Sequence, residues 1–210
     1  MGIHTYFRSL NDLERIIRTP GKFKFEEHCV SAHSWKVVQY AKTLADIEEQ
    51  QGVSIDWKKL YEITSSHDYG EIFIGDIKTP VKHYSLELRS MLQQVEEGMV
   101  SHFISENIPP EFQDIFRRQL REGKDNSVEG LILEVADKMD QVYEAFAELQ
   151  RGNTEKEFIV MYRYALIKIK NIDLHCVRYF LNHILPDIIE EGIRSPFDIR
   201  KITEEALLQQ

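Results

Sequence analysis

VEGLILEVADKMDQVYEAFAELQRG, residues 128–152, carries the strongest helix signal of this chain. Apolar residues recur there every three or four positions, which aligns them on one face of an α-helix: Val128, Leu131, Ile132, Val135, Met139, Val142, Phe146 and Leu149. Asn126 and Glu129 resemble a capping box at its start, and Gly152 follows its end. The stretch predicts a long helix with a buried apolar stripe.

Helical spacing of apolar residues recurs on both sides of this stretch, whereas few stretches alternate apolar and polar residues as strands do. The predicted helices cover about residues 10–18, 31–50, 57–70, 85–106 and 155–185, with a short one opened by Pro110 and a last one after Pro196. No linker is long enough to divide the chain. The sequence predicts one compact all-α domain over 1–210, with a core of about 8–152 and C-terminal helices over about 155–208.

The composition excludes several classes of protein. The 210 residues carry 35 acids and 26 bases, a net charge of −9, which argues against broad nucleic-acid binding and against an anionic membrane surface. No apolar run approaches the ~20 residues of a membrane span. Two cysteines, Cys29 and Cys176, are too few for a disulfide scaffold. We therefore expect a cytoplasmic protein with neither a nucleic-acid nor a membrane partner.

The candidate chemistry centres on His67 and Asp68, since GxGxxG, Walker A, GxSxG and HExxH motifs are absent. His67 follows Ile63 by four positions and Leu60 by seven, so it continues the apolar face of its helix. Asp68 comes next, and Glu71 lies one turn further on. The spacing therefore predicts that these three polar side chains converge at the end of a helix.

His33 lies on the inward face of another predicted helix, together with Val37 and Leu44. Imidazole and carboxylate ligands together suit Zn, Mn, Fe, Co or Ni, and a divalent cation offsets the cost of burying them. A single histidine on an apolar face is, however, more often a hydrogen-bonded core residue. The sequence context of Asp137, taken alone, predicts a solvated residue on the surface of a helix. The residues by themselves leave the metal site and the structural interpretation open.

A longer motif makes the pattern more specific. His33, His67-Asp68 and Asp137 follow the order H…HD…D, and HDYGEIFIGDIKTPVKHY (67–84) matches HDxxExxxGDxxTPVK. The chain thus resembles the HD-domain phosphohydrolase superfamily, and within it the 5'-deoxynucleotidase branch. RTP (18–20), CVSAHS (29–34) and VADKMD (135–140) stand at that branch's spacing, so the resemblance covers about residues 8–152. It implies an all-α HD-domain bundle.

The resemblance also implies roles for individual residues. One divalent metal ion, whether Co, Mn, Ni, Zn, Fe or Mg, would be bound by His33, His67, Asp68 and Asp137. The catalytic residues beside the phosphate and its water would be Glu71 and Asp76. The substrate-binding residues would be Arg18, Thr19, Lys78 and Thr79, with the Arg18 guanidinium on the phosphate.

Two positions depart from the branch pattern. Thr19 stands where the family has Trp, and Ala32 stands where it often has Glu. The family's Trp helps to form the sugar and base pocket. The preference for deoxyribose is therefore left open, while the metal and phosphate chemistry is not affected.

The function implied is hydrolysis of the 5'-phosphomonoester of (deoxy)nucleoside monophosphates by a metal-activated water, with a small-molecule nucleotide as partner and a homodimer as the expected assembly. One alternative is hydrolysis of nucleoside triphosphates or diphosphates, because other HD-domain branches use the same ligands. A second alternative is a non-enzymatic helical module with a structural metal. Glu71, Asp76 and Arg18 favour an enzyme, because a structural metal site would not need them.

Overall fold

A computed structural model describes residues 2–77, 79–82, 84–120 and 123–209, except for the side chains of Thr79 and Pro80. The prediction of an all-α fold is confirmed, because the only extended pairing among the described residues is an isolated bridge between Ile17 and Cys29. No helix in these ranges has both the length and the apolar character needed to cross a membrane. The helices are α1 (Ile3–Arg15), α2 (Val30–Gln50), α3 (Trp57–Ser66), α4 (Glu71–Ile74), α5 (Thr79–Lys82), α6 (Leu86–Asn107), α7 (Pro110–Gln119), α8 (Val128–Gln150), α9 (Lys156–Lys170), α10 (His175–Tyr179), α11 (Leu185–Glu191) and α12 (Ile199–Leu208).

α8 is the helix predicted from residues 128–152, but its cap differs from the prediction. Ser127, and not Asn126, is the N-cap, and its hydroxyl accepts a hydrogen bond from the N–H of Gly130 at 3.2 Å. The side chain of Glu129 accepts instead from the backbone N–H of Asp56 at 2.9 Å. The predicted capping pair is therefore wrong, because Glu129 finds its partner outside the helix.

The predicted stripe of α8 contributes to the core, and burial extends well beyond it. Ile132, Val135 and Val142 have no exposed surface, and neither does Leu133, which lies off the stripe. Five acidic residues of this helix are buried as well: Glu129, Asp137, Asp140, Glu144 and Glu148. A helix buried on several sides requires partners for these acids, because an unpaired buried charge is costly.

The Cα positions fall into two compact units, each assembled from separate segments. The first unit consists of the described residues of Met1–Gly21, Glu27–Trp35 and Tyr61–Gly123. Its buried apolar cluster comprises Leu13, Val30, Tyr69, Val100, Phe103, Ile104, Ile108 and Leu120. The second unit consists of the described residues of Lys22–Glu26, Lys36–Leu60 and Lys124–Gln210. A single domain over 1–210 stays a prediction.

In the second unit α8 packs along α9, and α12 packs on α9. Phe158, Tyr162 and Leu166 are fully buried and follow one another by one turn of α9. The hydroxyl of Tyr162 lies 3.0 Å from the hydroxyl of Thr203 on α12, so this buried phenol has a hydrogen-bond partner.

The prediction of one long helix over residues 155–185 is wrong. α9 ends at Lys170, and residues 171–174 form a turn before helix resumes at His175. Asn171 and Asp173 in this turn favour a non-helical backbone, because their side chains compete for the backbone hydrogen bonds of a helix. Leu174 has extended backbone and is 8% exposed, so the turn lets an apolar residue enter the core.

The helical segment that begins at His175 is held by a buried hydrogen bond and contains a π-helical turn. The N–H of Cys176, in the first turn of α10, donates to the carboxylate of Glu48 at 2.7 Å. A π-helical turn, Phe180–Ile184, then joins α10 to α11. Pro186 follows this turn, and because it has no N–H it cannot continue a regular α-helical hydrogen-bond ladder.

Glu148 is an anchor within the second unit. Its fully buried carboxylate accepts hydrogen bonds from the N–H groups of Phe25 and Glu26, each at 3.0 Å, and from the amide of Asn153 at 2.6 Å. Hydrogen bonds to an ionised group are stronger than neutral ones. This carboxylate therefore holds the short segment 22–26 against the end of α8.

We expect Glu148→Ala to lower the free energy of unfolding by about 2 kcal/mol, because Asn153 and two backbone N–H groups lose a charged acceptor. Urea denaturation measures this change. The control is Glu204→Ala on α12, where the side chain is exposed and we expect a change within about 0.5 kcal/mol. An equal free energy of unfolding for the two variants would show that the hydrogen bonds of Glu148 do not stabilise the protein.

Candidate metal and active site

The start of α2 positions His33. The residue lies in the first turn of the helix, is fully buried, and its N–H donates to the carbonyl of Cys29 at 3.0 Å. Val30, three positions earlier, is buried in the apolar cluster, and its N–H donates to the carbonyl of Ile16 at 3.0 Å. The helix start is thus fixed by packing and by hydrogen bonds, and His33 is fixed with it.

The end of α3 positions His67 and Asp68. Ile63, Thr64 and His67 are buried at the spacing of one helix face, as the sequence predicts. A tight turn follows, in which the N–H of Glu71 donates to the carbonyl of Asp68 at 3.0 Å. Asp68 therefore leaves the helix end beside His67, and Glu71 begins α4.

Three ligand atoms converge inside the first unit. The Nε2 atoms of His33 and His67 lie 3.2 Å apart, and Oδ2 of Asp68 lies 3.2 Å from the first and 3.3 Å from the second. These three atoms thus form a nearly equilateral triangle. Of the predicted metal ligands, these are the three that the structure brings together.

The backbone of α3 fixes the orientation of His67. Nδ1 of its ring lies 3.0 Å from the carbonyl oxygen of Thr64, which can only accept a hydrogen bond, so Nδ1 carries the proton. Nε2 is therefore the ring nitrogen left to bind a metal, which requires the neutral form of the ring. Thr64 is not among the residues predicted from the sequence, although its position three residues before the buried His67 is a usable signal.

Asp68 is ionised in this setting. Burial alone would raise its pKa, but positive charge on His67 when that ring is protonated, together with hydrogen bonds from His33 and His67, outweighs burial and holds the pKa well below its ordinary value. The Nη1 atom of Arg18 adds a further positive group 3.6 Å from the Asp68 carboxylate. The triangle therefore offers one anionic oxygen and two imidazole nitrogens.

These residues fit a divalent transition metal. Three donor atoms that are each about 2.1 Å from one ion lie about 3.0 to 3.4 Å from one another, and the edges of the triangle fall within this range. Two imidazoles and a carboxylate are a usual donor set for Zn, Mn, Fe, Co and Ni. His33, His67 and Asp68 can therefore hold one such ion as neighbouring ligands.

Arg18, Thr19 and Asp76 form a second group in the same unit. Arg18 is 8% exposed, and its backbone N–H donates to the carbonyl of His28 at 2.8 Å. Thr19 has a φ of 52°, a left-handed conformation that is rare for a β-branched residue. In this conformation its N–H donates to Oδ2 of Asp76 at 2.8 Å. Such local strain is typical of functional sites, and here it orients the Asp76 carboxylate.

Glu71 is a buried carboxyl group beside the triangle. Its Oε1 lies 3.9 Å from Nζ of Lys82, whereas its buried Oε2 has no hydrogen-bond partner among the residues that the structure describes. Burial, and after it the negative charges of Asp68 and Asp76, raise the pKa of Glu71 to about 9. An unsatisfied buried oxygen of this kind marks a position where a substrate or a water molecule can bind.

Three predicted site residues fall outside the described side chains of the first unit: Asp137, Lys78 and Thr79. Asp137 belongs to the second unit, where it is 5% exposed and accepts hydrogen bonds from Lys124 at 2.7 Å and Lys138 at 3.1 Å. It is therefore not the solvated residue that its sequence context alone suggests, and its role as a fourth ligand stays a prediction. Lys78 and the side chain of Thr79 lie outside the described residues.

Comparison with known families gives a match over most of the chain. The model of the 5'-deoxynucleotidase YfbR-like family matches residues 5–188. A 5'-deoxynucleotidase of Vibrio vulnificus is 29% identical over 189 residues, which cover 86% of this chain and 92% of that protein. 5'-Deoxynucleotidase YfbR of Escherichia coli is 27% identical over 151 residues, which cover 71% of this chain and 75% of that protein.

Solved structures give the same assignment. An HD-domain phosphohydrolase from Listeria innocua is 48% identical and superposes with a TM-score of 0.94 over 99% of both chains. The cyanophage S-2L HD phosphohydrolase DatZ, bound to dA and one catalytic Zn²⁺, is 16% identical with a TM-score of 0.63 over 90% of this chain and 99% of that chain, and so shares the fold. The chain belongs to the 5'-deoxynucleotidase YfbR-like family and is a metal-dependent HD-domain phosphohydrolase of nucleotides.

Proposed function

We propose that this enzyme hydrolyses the 5'-phosphomonoester of nucleoside monophosphates, deoxyribonucleotides among them, at one divalent metal ion held by His33, His67 and Asp68. The observation that carries the proposal is the triangle of three ligand atoms with edges of 3.2 to 3.3 Å. The relatives named as 5'-deoxynucleotidases support the class of substrate.

A divalent ion bound by these residues supplies Lewis acidity toward a phosphoryl oxygen and a lowered pKa for a bound water. DatZ, which shares the fold, holds one catalytic Zn²⁺, and the donor set of this chain also suits Co, Mn, Ni and Fe. Asp137 stays the fourth predicted ligand on the strength of the family motif.

Arg18 is assigned the role of binding the phosphate. Its guanidinium group is largely buried and lies 3.6 Å from Asp68, so a phosphate near the ligand triangle would be within its reach. A planar guanidinium pairs well with phosphate oxygens and stabilises the charge that spreads over them during transfer. Thr19, Lys78 and Thr79 stay predicted contacts of the rest of the substrate.

Glu71 and Asp76 are assigned the proton transfers. One would accept a proton from the attacking water, and one would give a proton to the leaving 5'-oxygen. Support comes from the unsatisfied buried Oε2 of Glu71 and from the hydrogen bond between the Thr19 N–H and Asp76, which fixes the Asp76 carboxylate.

The proposal extends to assembly and location. Two-fold homodimers are the commonest closed assemblies of soluble enzymes, and we propose this state here. The two cysteines, the ordinary globular composition and the nucleotide substrate are consistent with a cytoplasmic enzyme.

The direct test is product release from a panel of ribo- and deoxyribonucleoside mono-, di- and triphosphates. Metal-stripped protein is assayed with Co²⁺, Mn²⁺, Ni²⁺, Zn²⁺ or Mg²⁺ added back. We expect orthophosphate from monophosphates only, and the deoxyribo-to-ribo ratio reports the effect of Thr19. Pyrophosphate or triphosphate from nucleoside triphosphates would support the first alternative instead. No release with any metal would contradict the proposal.

Asp68→Asn tests the metal ligands. The substitution preserves the size of the side chain but removes the anionic oxygen, so we expect a loss of kcat greater than about 100-fold, beyond the usual cost of losing an orienting partner of a ligand. Metal content after dialysis is measured in parallel and should fall as well. The control is Asp114→Asn, whose side chain is 98% exposed and should leave both quantities unchanged. Full metal content and full activity in Asp68→Asn would refute the assignment.

Glu71→Gln separates proton transfer from metal binding. Because glutamine cannot exchange a proton in this way, we expect kcat to fall about 10²- to 10⁴-fold, while metal content stays that of the wild type. Steady-state kinetics and metal analysis on the same preparation measure the two effects. A Glu71→Gln enzyme with wild-type kcat would exclude Glu71 from the chemistry.

A further inference from the structure

Tyr69 occupies the position between Asp68 and Gly70 in the turn that follows α3, and it is 2% exposed. Its side chain belongs to the apolar cluster of the first unit. The ring centroid lies 5.5 Å from that of Tyr6, 6.0 Å from Phe103 and 6.3 Å from Phe73. Aromatic contacts at these distances on three sides fix the ring of Tyr69 in the core.

The Tyr69 hydroxyl begins a directed chain of hydrogen bonds into α1. Ser9 donates its hydroxyl proton to the carbonyl of Tyr6 at 2.7 Å, and the Ser9 Oγ also lies 2.7 Å from the Tyr69 hydroxyl. Since a serine has only one hydroxyl proton, the Tyr69 hydroxyl must donate to Ser9. Ser9 is 8% exposed, so this acceptor lies in the interior and water does not readily replace it.

The backbone of the same turn is also hydrogen-bonded. The N–H of Tyr69 donates to the carbonyl of Ser66 at 2.9 Å, and the N–H of Glu71 donates to the carbonyl of Asp68 at 3.0 Å. Gly70, between them, has an ordinary helical backbone and lies against the carboxyl group of Glu96 on α6. Tyr69 and Asp68 are therefore consecutive residues of one hydrogen-bonded turn.

We propose that Tyr69 is a positioning residue for the metal site, and that its hydrogen bond to Ser9 sets the place of the adjoining Asp68 carboxylate in the ligand triangle. This inference rests on the proposed function. Adjacent Cα atoms are held about 3.8 Å apart across a planar peptide, so a displacement of Tyr69 is transmitted to the backbone of Asp68. Metal–ligand distances tolerate only about 0.2 Å, so even a small shift weakens binding.

The chain contains a matched control for the loss of a buried tyrosine hydroxyl. Tyr162 in the second unit is fully buried, and its hydroxyl lies 3.0 Å from that of Thr203. Tyr162→Phe therefore removes the same chemical group from a comparable environment, away from the turn that carries Asp68. A purely structural role for Tyr69 predicts that the two Phe variants behave alike.

The experiment is calorimetric titration of Co²⁺ into metal-stripped wild type, Tyr69→Phe, Ser9→Ala, the double variant and Tyr162→Phe, at a temperature where all are folded. We expect Tyr69→Phe and Ser9→Ala each to raise the Kd for Co²⁺ about tenfold, the lower end of the effect of losing a partner that orients a ligand. The Kd of the double variant should be no higher than the larger of the two single-variant Kd values, because both substitutions remove the same hydrogen bond. Tyr162→Phe should lower Tm but leave the Kd within about twofold of the wild type.

The outcomes separate this inference from the proposed function. A wild type that does not bind Co²⁺ would overturn the proposed metal site and this inference with it. A wild type that binds, together with a Tyr69→Phe variant of unchanged Kd, would overturn the inference alone. Equal losses of affinity in Tyr69→Phe and Tyr162→Phe would also overturn it, because they would show a general effect of stability.

Discussion

Two imidazole rings and one carboxylate oxygen meet in the interior of the first unit, with 3.2 to 3.3 Å between their nearest atoms. Polar groups buried at such distances are costly unless each is satisfied. The carbonyl of Thr64 satisfies one nitrogen of His67, and the charge of the imidazoles favours the ionised form of Asp68. When the two rings are neutral, all three close atoms are lone-pair donors, which is the arrangement that a divalent cation stabilises.

The scaffold meets this requirement by placing a buried apolar residue near two of the three ligands. Val30, one turn before His33, and Tyr69, directly after Asp68, both belong to the same apolar cluster. The core and the ligand triangle are therefore not independent, because the packing of the cluster sets the separation of the ligands. The acids of the second unit are satisfied in another way, as Glu148 shows by accepting backbone and amide N–H groups.

The sequence predicts the fold class and the inward faces of His33 and His67 because both depend on local spacing, whereas the ligand set comes from the family resemblance. The apolar period of α8 and the seven-residue path from Leu60 to His67 can be read without knowledge of the tertiary structure. The end of α9, the N-cap at Ser127 and the left-handed Thr19 cannot be read in this way. Each depends on a partner distant in sequence or on a backbone conformation that side-chain types do not specify.

The assignment of the first-unit ligands is tested most directly by anomalous diffraction from crystals of the protein loaded with Co²⁺ or Zn²⁺. We expect a single strong anomalous peak about 2.0 to 2.3 Å from Nε2 of His33, Nε2 of His67 and an oxygen of Asp68. The same map also shows whether Asp137 is the fourth ligand. A peak bound by other residues, or none at these three atoms in crystals that contain the metal, would contradict the account.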